Sequence, residues 1–138
     1  MVMPPGPGQR TPPVPSEPLG ILLISGGHER AHYAFVLAAG AAAVGRPVVL
    51  FATNDGCRAL LADLGDLATG RDIAVQAAGI AGLGDLRDVA GEMGVRMIAC
   101  DAGLRMAGLD ATALAAGVEV AGVVTFFEAA AGGQLLTL

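Results

Sequence analysis

Apolar residues along this chain fall into short unbroken runs, separated by longer stretches where alanine and leucine alternate with polar positions. The run Leu19-Gly-Ile-Leu-Leu-Ile-Ser25 ends in Gly26-Gly27 and reads as a strand buried on both faces. Residues 28–45 read as a long Ala-rich helix, closed by Gly45 with Pro47 just beyond it. Pro47-Val-Val-Leu-Phe-Ala52 repeats the strand pattern. Thr53-Asn-Asp-Gly56 is turn chemistry, with Asn54 or Asp55 placed to cap a helix over 57–64. Residues 71–81 are ambiguous and read as a connection with a short extended piece. A helix over 83–94 leads to a third buried strand over 95–99 and then a helical turn or two. A short helix over 112–116, a strand over 118–121, a helix over 122–131 and a last strand over 134–138 complete the series. Strands alternating with helices through short loops predict an α/β domain with three α/β/α layers around a mostly parallel sheet of about five strands.

Composition sharpens the boundaries. Seven of the eight prolines lie in residues 1–18, which hold almost no large apolar side chain. Such a segment cannot offset its ordering entropy and reads as a disordered tail, leaving 19–138 as one domain. Net charge is −5 and aromatics are 4% of the chain, so the basic footprint and stacking platforms of a nucleic-acid binder are missing. All eight basic residues are arginine, which excludes Schiff-base chemistry on a lysine. Only Ser16 and Ser25 could serve as serine nucleophiles, and Ser25 lacks a G-x-S-x-G elbow. Mean hydropathy is +0.62, yet the longest charge-free stretch of the domain, 31–45, is too short to span a bilayer and contains His32. No basic segment precedes an apolar core at the N-terminus, and two cysteines suit a reducing compartment, so a cytoplasmic location is expected.

The candidate chemistry centres on Cys100. It follows the run Val95-Arg96-Met97-Ile98-Ala99 and precedes Asp101-Ala102-Gly103-Leu104, which puts a thiol at the carboxyl end of a buried strand and the mouth of a helix. Open α/β sheets place their chemistry at this edge. Amides of Ala102, Gly103 and Leu104 pointing at the sulfur, with Arg105 within a turn, would favour a thiolate. The competing reading is a buried structural cysteine packing as a small hydrophobe.

Met97-Ile-Ala-Cys100, Gly108-Leu109 and Gly117-Val-Glu-Val-Ala-Gly122-Val-Val-Thr-Phe126, with the terminal strand, resemble the DsrE/DsrF-like sulfur-relay family, some of whose members are labelled peroxiredoxin-like. Ala38-Ala-Gly-Ala-Ala-Ala-Val-Gly45 followed by Val48-Val-Leu-Phe51 matches the family's first crossover. The resemblance covers residues 19–138 and implies a three-layer fold assembled as dimers, trimers or hexamers. It also implies a cysteine at the position of Cys100 that carries sulfur as a persulfide between donor and acceptor proteins. Two departures stand out: Asp101 puts a carboxylate beside that cysteine, which opposes its ionisation, and Cys57 is an extra thiol. No Thr-x-x-Cys supports peroxidase chemistry.

Other motifs compete for a role. Cys57 follows the second strand and shares the sheet edge with Cys100, so it could resolve an oxidised or persulfidated Cys100 if the two approach closely. His28-Glu29-Arg30-Ala31-His32 is a literal H-E-x-x-H, the spacing of zinc hydrolases. These are the only two histidines, so a zinc site would have to recruit distant ligands such as Cys57 and Cys100. Ser25-Gly26-Gly27 could present amides to an anion, or be a tight turn that needs glycine. The leading expectation is sulfur transfer on Cys100, requiring neither metal nor cofactor. Gly26, Gly27, His28, Asn54, Asp55, Asp101, Ala102, Gly103 and Arg105 would line the pocket. The alternatives are a non-catalytic binding or assembly module of the same fold, and a zinc-dependent hydrolase.

Overall fold

Five strands make one all-parallel sheet in the order β4-β3-β2-β1-β5 in the computed structural model, which describes residues 17–138. They are β1 (Leu19–Leu23), β2 (Val48–Ala52), β3 (Arg96–Cys100), β4 (Glu119–Ala121) and β5 (Gln134–Thr137). The register sets Phe51 opposite Ile98 and Cys100 opposite Ala121. The three central strands are buried almost throughout, which is why they read as continuous apolar runs. β5 is an edge strand exposed along its length.

Alternation along the strands divides the core in two. Ile21, Leu23, Leu50, Met97 and Ala99 face one side, where α1 (His28–Ala43), α2 (Arg71–Ala77) and α3 (Leu83–Glu92) lie. Helix α1 buries Ala31, His32, Ala34, Phe35 and Ala38, the spacing of a single helical face. Val49, Phe51, Ile98 and Cys100 face the other side, covered by α5 (Val123–Ala129). Phe126 of α5 stacks on Phe51 with ring centroids 4.9 Å apart. A side chain on Gly20 would collide with Leu135, Ala130 and Phe126, so this glycine lets α5 sit close to the sheet.

Several expectations are corrected. Residues 71–81 are not extended: Arg71–Ala77 is helical, and its buried Asp72 ties it to its neighbours. The segment expected as a helix over 57–64 is a 3-10 helix over Asn54–Leu60, with no side-chain cap from Asn54 or Asp55. The helix expected over 112–116 shrinks to a 3-10 turn at Ala111–Ala113, because Leu114 pairs in an antiparallel bridge with Leu61. Tertiary pairing overrides local helix preference at both places. The proline-rich segment lies outside the described residues except for Glu17 and Pro18, whose carbonyls accept hydrogen bonds from Arg46. Among the described residues no helix is long and apolar enough to cross a membrane.

Candidate functional site

Strand β3 runs into α4 (Asp101–Met106) without a loop, so Cys100 is both the last strand residue and the helix cap. Its Sγ accepts a hydrogen bond from the Gly103 N–H at 3.3 Å. Of the three amides expected at the sulfur, only that of Gly103 donates to it. The residue packs with Phe51, Ile98 and Phe126 and is 8% exposed.

The amide donor is held by a close approach of two loops. A Cβ on residue 103 would lie 2.4 Å from Thr53 Oγ1 and 2.5 Å from the Asn54 nitrogen, so only glycine fits. Asn54 adopts φ 50°, the sole non-glycine residue with positive φ among the described residues. Asparagine tolerates this left-handed geometry better than most residues. The turn after β2 thereby presses on the start of α4 and fixes Gly103 against Cys100. Asp101 pairs with Arg105 at 3.4 Å on the exposed surface, so Arg105 is directed to its own helix and not to the sulfur.

Cys57 is a contrasting thiol. It is fully buried on the opposite side of the sheet, and its Sγ–H donates to the Ala52 carbonyl at 3.4 Å. Burial pushes this thiol up to about 11, against the pull of the Cys100 backbone N–H. Both cysteines are free. They pack in separate core clusters, although the Cys57 thiol lies close enough to feel the Cys100 backbone N–H.

Both histidines are engaged by hydrogen bonds. His28 Nε2–H donates to Asp72 Oδ1 at 2.7 Å, and His32 Nε2–H donates to the Ala81 carbonyl at 2.9 Å. The two rings stack 5.3 Å apart. Asp72 also receives the Leu83 N–H and the Gln76 side-chain amide. Burial alone would raise the Asp72 carboxyl, but the hydrogen bonds led by His28 outweigh it and hold it below its ordinary range. Glu29 pairs with Arg71 on the surface. The H-E-x-x-H segment therefore clasps α1 to α2 and the start of α3. Among the described residues no three potential ligands converge on a metal position.

The remaining pocket residues divide. Gly103 reaches Cys100 through its N–H and Asn54 abuts Gly103, while Asp101 and Ala102 separate Cys100 from Gly103 in sequence and are exposed. Gly26 and Asp55 abut one another one loop away, since a Cβ on Gly26 would lie 2.8 Å from that of Asp55. Gly26 also borders a 570 Å³ cleft with Arg58, Asp63 and Asp66. Gly27 turns its N–H to Ser25 Oγ at 3.1 Å, and His28 faces Asp72 across the sheet from Cys100. Sequence reasoning missed Asp72, hidden in the ambiguous 71–81 stretch, and the buried Arg87. A visible signal existed for the latter: an arginine in the Leu83, Arg87, Ala90 stripe of an otherwise apolar helix face.

Residues 19–138 match the DsrE/DsrF-like family. Among solved structures, the chain is similar to MTH1491 from Methanobacterium thermoautotrophicum, described as a protein of unknown function, at TM-score 0.66 and 20% identity over 89% of this chain and 100% of that one. It is also similar to the ychN protein from E. coli, at TM-score 0.64 and 15% identity over 88% and 99% of the two chains. At these identities the two likenesses establish the fold. No functionally curated protein matches the sequence.

Proposed function

Because the chain belongs to the DsrE/DsrF-like family, a family associated with sulfur relay, we propose that it carries sulfane sulfur as a persulfide on Cys100. The observation that carries this reading is the Gly103 N–H directed at the Cys100 Sγ, at the carboxyl end of β3. An amide hydrogen bond strengthens when its acceptor bears charge, so this donor supports an anionic sulfur through the reaction. The Cys100 thiolate attacks the outer sulfur of a donor persulfide; the donor's S–S bond breaks and its inner sulfur leaves as a thiolate. An acceptor thiolate then attacks the outer sulfur of Cys100–S–S⁻ and releases Cys100. Each step exchanges one S–S bond for another, so no external oxidant or reductant enters. Both thiols must be free for this, which fits a reducing, cytoplasmic setting.

The same reading makes the chain a homo-oligomer. Among the described residues, the sheet face bearing Cys100 is covered by one seven-residue helix. Val123, Val124, Phe127 and Leu135 stay exposed on or beside that helix, an apolar surface suited to a second copy. Light scattering at micromolar concentration is expected to give a dimer, trimer or hexamer, and a monomer would refute this part. A second reading, an inert thiol in a binding or assembly module, is favoured by the burial of most of Cys100. Intact mass after incubation with a sulfane donor separates the two. Sulfur transfer predicts the gain of one sulfur atom by wild type and none by Cys100→Ser; no gain by wild type, or equal gain by both, supports the inert module.

A further inference from the structure

Arg87 sits in the middle of α3, only 9% exposed, and carries a charge that no carboxylate within 4 Å offsets among the described residues. Its Nη1 protons go to the carbonyls of Ala59 at 3.0 Å and Leu61 at 2.6 Å. That leaves Nε–H and both Nη2 protons, one side of the guanidinium fork, without an acceptor among the described residues. Arg87 borders a 420 Å³ cleft between α3, the start of β3 and the loop leading to β4. The cleft is large enough for a small metabolite. Val95, Met97 and Val118 give it an apolar wall, while Asp88 and Glu92 sit on its rim.

We propose that this cleft is a binding site for a small aliphatic α-amino acid, distinct from the Cys100 site. The ligand carboxylate takes the free side of the Arg87 fork, a geometry suited to bidentate pairing. Its ammonium meets the Asp88 and Glu92 carboxylates, and its side chain lies on the apolar wall. One guanidinium against two carboxylates gives the lining a net charge of −1, counted over these three residues. That balance disfavours inorganic dianions and simple carboxylates, and matches a ligand bearing both charges.

Isothermal titration calorimetry of the full chain with L-valine, isobutyrate, isobutylamine and sulfate tests the assignment. Saturable binding of L-valine, with each of the other three weaker by about tenfold or more, is expected. Arg87→Lys loses the bidentate fork and is expected to weaken L-valine by about tenfold. Because Arg87 also holds the Ala59 and Leu61 carbonyls, the rim variant Asp88→Asn/Glu92→Gln provides a second test that leaves the fold intact. It should weaken L-valine several-fold while isobutyrate binds equally or better. No saturable L-valine binding, sulfate binding as tight as L-valine, or unchanged L-valine affinity in either variant would overturn the site. None of these outcomes bears on sulfur loading of Cys100.

Discussion

The two faces of the sheet are built on different principles. One is thick: α1, α2 and α3 bury Phe35, Leu50 and Cys57, are clamped to one another through His28 and Asp72, and are tied by Arg87 to the Asn54–Leu60 segment and Leu61. The other is thin: among the described residues α5 is the one helix over Phe51, Ile98 and Cys100. Each holds a cysteine, and the surroundings give the two sulfurs opposite hydrogen-bonding roles. Cys57 donates to a carbonyl in a sealed interior, so its proton is retained. Cys100, 8% exposed, accepts from an amide instead. Cys57 is fully enclosed on the thick side, whereas Cys100, the proposed sulfur carrier, keeps 8% of its surface exposed on the thin side.

The contrast can be tested most severely by alkylation. With its thiol pushed up to about 11, Cys57 is ionised at pH 7 to roughly one part in ten thousand, and it is also enclosed. Iodoacetamide should therefore modify Cys100 at least about tenfold faster than Cys57 in the folded protein, and both at similar rates in denaturant. Comparable rates on the two peptides of the folded protein would erase the distinction between the faces.

Removing the clamp of the thick face comes next in size. Asp72→Asn leaves His28 and the Leu83 N–H poorly matched in a buried site and should cost about 3 kcal/mol in urea unfolding. The sign of the pH dependence follows from the depressed Asp72 carboxyl. Its stabilisation is present above the unfolded value of about 3.9 and is lost as pH falls through the lower folded value. Wild type should therefore lose more stability below about pH 4 than Asp72→Asn does.

On the thin face, Gly103→Ala forces a methyl against Thr53 and the Asn54 backbone. A cost of about 2 kcal/mol is expected, together with slower sulfur loading as the amide moves off Cys100. Unaltered loading would mean that the amide is only a cap. The smallest effect belongs to Cys57→Ala, about 1 kcal/mol of stability for a small buried void, with sulfur loading of Cys100 unchanged.

The sequence made the central strands legible because parallel strands buried on both faces are unbroken apolar runs, as in Val48–Ala52. Cys100 was legible as well, since a thiol between such a run and a helix start has few other places to lie. What stayed hidden depends on contacts between distant segments. Asp72 acquires its role from His28, forty-four positions away, and α2 gains order from that contact where its own pattern is weak. The 3-10 geometry of Asn54–Leu60 reflects the tight packing of that segment on α4 and the hold of Arg87 on its end. Asn54 and Gly103 look like ordinary turn and helix residues until their close approach is seen.

Peptide-resolved mass spectrometry after exposure to a limiting persulfide donor, with free thiols then blocked, tests the central claim most directly. The account predicts the added sulfur on the peptide containing Cys100, absent from that containing Cys57, and removed by an acceptor thiol. Sulfur on the Cys57 peptide, or on neither, would contradict it.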